Sequence, residues 1–154
     1  SLAFEFHAYG AWDSNEYRDQ CLKVAAQIGP DKVRIHDTIS GDDKLVQLAR
    51  ADIYLFCPIH PEGHPWSIVE AMAAGLPIIS ADQGAIIESV IHEQNGYIVD
   101  PKDLNQLSAC IENLIKDEAL REKMSAESQS RYRSKFTEQS MIENLKKVIL
   151  HYAT

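Results

Sequence analysis

Positive charge is scarce in this chain: 15 lysines and arginines stand against 23 aspartates and glutamates, a formal net charge of −8. Without a basic field to hold a phosphate backbone, no nucleic-acid partner is expected. Cysteine is scarcer still. Cys21, Cys57 and Cys110 are three in number and far apart, so they form neither a disulfide framework nor a zinc-finger spacing. Cys57 ends an apolar run, where a free cysteine serves as a small buried hydrophobe, and a reduced, cytoplasmic compartment is expected. No apolar stretch has the length needed to span a bilayer and no charged-then-apolar leader is read, so no transmembrane segment is expected, while peripheral membrane association stays open. A glycine-rich P-loop, an acyl-transfer triad, internal repeats and low-complexity tracts are also absent.

What is present is ordinary globular composition, 45% hydrophobic and 25% charged over 154 residues, which suits a single domain with a real core. The chain opens on Ser1 and enters a strand-like pattern at once, which reads as an excised piece of a longer protein. Leu2, Phe4, Phe6 and Ala8 alternate as in a strand that ends near Gly10, and a helix is expected from Ser14 as N-cap to Ile28, stopped by Gly29 and Pro30. "KVRIHDTI" reads as a strand, "GDDKLVQLARA" as a helix with Leu45, Leu48 and Ala49 on one face, and "DIYLFCP" as a strand buried on both sides. A loop and short helix follow, closed by Gly75 and Pro77; then come the strand "LPIISA", a brief helix in "GAIIESVI" and the strand "GYIVD". Strand and helix therefore alternate over residues 1–100, and residues 101–154 are helical, with one apolar stripe at Leu104, Leu107, Ile111, Leu114 and Ile115 and another at Met141, Leu145, Val148 and Tyr152. Thr137 is the expected N-cap of the last helix. This order implies an α/β fold, a three-layer α/β/α Rossmann-like parallel sheet followed by C-terminal helices.

The stretch "HPEGHPWSIVEAMAAG", residues 60–75, carries the chemistry. Ligands of open parallel sheets bind beyond the carboxyl ends of the strands. A helix starting near Trp66 or Ser67 offers unpaired N–H groups and the positive end of its dipole to an anion. Glu62 and Glu70 stand on either side of that seat, suited to accept hydrogen bonds from sugar or ribose hydroxyls, and together they describe a nucleotide-sugar site. The plain alternatives are a capping box, Ser67-x-x-Glu70, and a solvated loop charge at Glu62.

Glu62, the intervening seven residues and "EAMAAGLP" from Glu70 to Pro77 resemble the signature of the C-terminal, donor-binding domain of group 1 (family 4) glycosyltransferases of the GT-B fold. "LARADIYLFCP", "SADQGAIIESV", "NGYIVDP" and "LREKM" match in order around it, so the resemblance covers roughly the whole chain. It implies a metal-independent, retaining hexosyltransferase that moves a sugar from a nucleoside diphosphate donor to a glycan or lipid-linked acceptor, as in polysaccharide biosynthesis. No cofactor beyond the donor substrate is implied. Glu62 would be the catalytic-site carboxylate beside the donor sugar and Glu70 the acceptor of ribose hydroxyls. The backbone of Gly63, His64, Pro65, Trp66, Ser67 and Ile68 would face the sugar and diphosphate, with Gly10 at the first strand end and the base near Thr38.

The chain departs from the family in places. Gly63-His64-Pro65 replaces a Gly-Phe-Gly, and proline removes one N–H from the loop. Gly10 lacks its second glycine, Trp12 standing there, and Gly84 is followed by Ala85. The strand that should precede Leu2, the family's Arg/Lys segment after it, and the acceptor-binding N-terminal domain lie outside the sequence, so the fragment alone is expected to be inactive. His60 and His64 flank Glu62, but Pro61 and Gly63 break any zincin spacing, and no metal site is expected. Glu88 and Ser89 are read as opening a short helix, with Glu88 a structural acceptor, and "RYRSK" as a solvated helix face. The rival readings are a nucleotide-sugar 2-epimerase of the same fold, a non-catalytic binding module and, more distantly, a flavodoxin-like signalling domain.

Overall fold

In a computed structural model, residues 3–152 are described. The chain divides into two compact units, Ser1–Val46 and Gln47–Thr154.

In the first unit, β1 (Phe6–Tyr9) pairs in parallel with β2 (Val33–His36), His7 opposite Arg34 and Tyr9 opposite His36. Leu2, expected to begin β1, lies outside the described residues. Between the strands runs α1 (Asn15–Ile28). Ser14 Oγ accepts from the Tyr17 N–H at 3.2 Å, the expected N-cap, and Gly29 at φ 126° ends the helix in a conformation that glycine adopts without strain. Of the α1 residues with an apolar period, Ala25 is buried, whereas Tyr17, Val24 and Ile28 are exposed. The next helix, α2 (Gly41–Arg50), carries the boundary between the units and buries Leu48, while Leu45 and Ala49 stay exposed.

The second unit is a parallel three-stranded sheet in the order β3 (Tyr54–Phe56), β4 (Ile78–Ala81), β5 (Gly96–Val99). The central strand β4 explains its own composition. All four of its residues are buried. Ile78 enters one core with Ile68, Ala71 and Met72 of α3 (Trp66–Ala73), and Ile79 enters the other with Leu114 of α5 (Leu104–Lys116) and Met124 of α6 (Glu118–Arg131). Alternate residues thus face opposite helical layers, which makes this unit α/β/α. Each buried isoleucine contributes roughly 2–3 kcal/mol relative to exposure. The flanking strand β3 is half-buried, less than the sequence pattern implied.

Gly96 shows how tightly β4 and β5 meet: a Cβ there would overlap the Ile78 carbonyl. On the α3 side, Ser128 Oγ of α6 donates to the Leu76 carbonyl at 2.7 Å and so fixes the turn between α3 and β4. α4 is one turn, Ile86–Ser89; Glu88 and Ser89 close it rather than open it, because the backbone turn begins at Ala85. After α6, residues Tyr132–Phe136 form a single π turn, and α7 (Glu138–Tyr152) starts at Thr137, whose Oγ1 accepts from the Ser140 N–H at 3.2 Å as expected. The stripe at Met141, Leu145, Val148 and Tyr152 is exposed, and α7 buries no residue. Among the described residues no helix is long and apolar enough to cross a membrane.

Candidate functional site

β3 delivers the chain to the carboxyl edge of the three-stranded sheet, and the loop from Cys57 to Pro65 carries Glu62. Cys57 anchors the start of that loop. Its thiol sits 3.8 Å from the Ile79 carbonyl, and burial, helped by the nearby Cys110 thiol, pushes its pKa up to about 11. The loop ends at Pro65, the N-cap of α3, with φ −63°.

Pro65 brings no side-chain acceptor to cap α3. The Ile68 N–H turns back to the Pro65 carbonyl at 3.1 Å, so that donor is already engaged; the start of the helix otherwise presents the positive end of its dipole. Ser67, two residues beyond the N-cap, is therefore inside the helix and does not make the capping box. Its hydroxyl instead meets the phenol of Tyr54. Burial raises the Tyr54 pKa, the Ser67 bond lowers it and the neighbouring Glu70 carboxylate raises it again. Tyr54 thus stands beside Glu70, a neighbour the sequence reading missed because Tyr54 looked like one more apolar strand residue. Glu70 is half-buried with its Oε2 atom enclosed.

Glu62 is half-buried and its loop is fastened from behind. The Ala85 N–H donates to the Gly63 carbonyl at 3.0 Å. Gly84, at φ 57°, packs so closely that a Cβ would overlap the Glu62 carbonyl oxygen. His64 Nε2 is hydrogen-bonded to Ser89 Oγ, and the His64 ring packs on Phe136 with centroids 5.3 Å apart. Trp66 is 71% exposed, whereas the Ile68 side chain is fully buried, so only the backbone of Ile68 could meet a ligand.

Gly10 and Thr38 belong to the first unit, just past the ends of β1 and β2. There the His36 ring stacks on Tyr9 at 4.4 Å and is hydrogen-bonded to His7 at 3.1 Å. Arg131, expected on a solvated face, donates from Nε to the Ser89 carbonyl at 3.1 Å and from Nη2 to the Glu88 carbonyl at 2.8 Å. It thereby satisfies the carbonyl end of α4. Glu88 acts as an acceptor through this backbone carbonyl, its side chain being exposed. A groove of about 540 Å³ beside it is lined by Ile87, Ile91, Lys135, Phe136 and Asn144 among others, and does not include Glu62 or Glu70.

An uncapped helix start at the carboxyl edge of a parallel sheet can seat an anion, and a carboxylate in the loop before it and another within the helix can accept from hydroxyl groups. The capsular polysaccharide biosynthesis glycosyltransferase CapM of Staphylococcus aureus is 33% identical over 94 residues, 61% of this chain and 24% of that protein. This chain therefore spans about a quarter of that relative's length. Among solved structures, the C-terminal domain of the group 1 family protein LpcC from Francisella tularensis matches with TM-score 0.70 at 27% identity, covering 80% of this chain and 64% of that one. Anabaena Alr3699/HepE in complex with UDP-glucose shares the fold, with TM-score 0.79 at 22% identity over 93% of this chain and 41% of that one. The family model for glycosyl transferases group 1 matches residues 4–131, and the chain belongs to that family.

Proposed function

We propose that this chain is the donor-binding part of a metal-independent, retaining glycosyltransferase that moves a sugar from a nucleoside diphosphate to a glycan or lipid-linked acceptor at the cytoplasmic side. What supports the reading is that α3 starts without a side-chain cap, with Glu62 in the loop before it and Glu70 within it in the sequence, both half-buried. The diphosphate takes the N–H groups and dipole of that helix, an interaction of about 1 kcal/mol per donor at an exposed site. Glu70 accepts from the ribose hydroxyls. Glu62 holds the sugar and its negative charge stabilises the positive charge that develops at the anomeric carbon as the leaving diphosphate departs. A capsule-building relative and a fold neighbour crystallised with UDP-glucose support this choice of substrate. No cofactor other than the donor takes part, and the acceptor is held by a further part of the polypeptide, as the length of the relatives suggests.

The test is titration of the chain with UDP, GDP and ADP while backbone amides are followed by NMR. Selective shifts over residues 62–70 are expected with one of the three. Glu70→Ala should weaken that nucleotide about tenfold, the loss of one hydrogen bond to a charged group. Shifts scattered elsewhere, or none with any nucleotide, would overturn the reading.

A further inference from the structure

Pro61 and Pro65 bound a loop whose centre is Glu62-Gly63-His64. A carboxylate that must meet one sugar in one orientation needs that loop held to a fraction of its free range. Backbone contacts at Gly63 and Gly84 hold two points. The third is the His64 side chain, whose Nε2 meets the hydroxyl of fully buried Ser89 and whose ring packs, tilted by 48°, against Phe136 of the π turn.

Ser89 is itself rigidly held. Its carbonyl accepts from Arg131 Nε at 3.1 Å and from Asn95 Nδ2 at 3.1 Å, and Asn95 in turn accepts the Ile91 N–H at 2.8 Å. A side chain bonded to such a hub inherits its position. We infer that His64 is a positioning residue: through Ser89 and Phe136 it clamps the Glu62 loop to α4 and the π turn, and so sets where the Glu62 carboxylate stands for the donor sugar. This deepens the proposed function and rests on it. A ring alone would supply the contact with Phe136; the hydrogen bond to Ser89 is what needs imidazole, because an apolar ring at 64 leaves a buried hydroxyl without its partner.

The experiment is a cycle of His64→Phe, Ser89→Ala and the double variant, read by deuterium exchange over residues 59–66 and by binding of UDP-, GDP- and ADP-glucose against UDP, GDP and ADP. Protection of β4 amides, unchanged in every variant, separates the effect from unfolding. Each single variant is expected to raise loop exchange and weaken the nucleotide-sugar about tenfold, with the nucleoside diphosphate within about twofold, and the double variant to lose no more than either single. Additive losses, or His64→Phe matching the wild type, would overturn the clamp. Sugar conjugates bound equally by all four proteins would overturn the positioning role alone. A wild type that binds no nucleotide in any form would overturn the donor-binding reading and this inference with it, while leaving the loop exchange to report the contact.

Discussion

Residues Ser1–Val46 and Gln47–Thr154 are built from the same alternation of strand and helix, yet they bury their apolar residues very differently. In the second unit β4 is enclosed on both faces, with Ile78 and Ile79 in separate cores. In the first, β1 and β2 pair with each other, and α1 leaves Tyr17, Val24 and Ile28 exposed. A two-stranded sheet is marginal without a further covered face. The lesson is that a sequence period reveals which face of an element is apolar, while the number of layers packed on it decides what that face is worth. The Glu62 loop, fastened to the β4–α4 turn, belongs to the well-packed unit.

The comparison can be broken most forcefully at glycine. Gly96→Ala places a methyl against the Ile78 carbonyl, and a loss of about 3 kcal/mol or more is expected in urea unfolding. Gly10→Ala, where nothing lies within 4 Å, is expected to cost under about 0.5 kcal/mol. Equal effects at the two positions would mean that the units are packed alike. A milder probe trims an aliphatic side chain. Ile79→Val should cost about 1 kcal/mol, and Val24→Ala, on the exposed face of α1, close to nothing on the same measurement. The last effect is electrostatic and is absent at neutral pH. Burial raises the Cys57 pKa to about 11, so its contribution to stability is intact at neutral pH and is lost as pH rises from the ordinary thiol range through about 11. Alkylation of Cys57 in the native chain should accordingly be slow at pH 8 and accelerate toward pH 11. Rapid native-state labelling at pH 8 would show the loop after β3 to be open.

Much of this architecture was legible in the residues because local chemistry wrote it. Ser14 and Thr137 are caps by virtue of a hydroxyl at the right backbone position, and both act as such. The buried run "LPIISA" became the central strand, and the spacing of Glu62 from "EAMAAGLP" pointed to the family whose model the chain matches. The contacts that hold the site were not legible, because they join distant positions. Nothing local to Tyr54 announces a neighbour at Ser67 and Glu70, and nothing in "RYRSK" says that Arg131 will satisfy the carbonyls of Glu88 and Ser89. The apolar stripe of α7 was read correctly as a stripe, but periodicity carries no information about what covers it. The capping box failed for a different reason: Pro65, whose fixed φ suits an N-cap, takes that place two residues before Ser67, and the helix starts at Trp66.

The close packing of Gly84 on the Glu62 carbonyl bears on how this protein could be re-engineered. Position 84 has a one-letter alphabet. Any side chain there displaces the carboxylate eight residues before Glu70, so a library that varies it would confound a new contact with a relocated one. Diversity in this stretch belongs at Trp66, whose largely exposed indole can change without disturbing the backbone that carries Glu62.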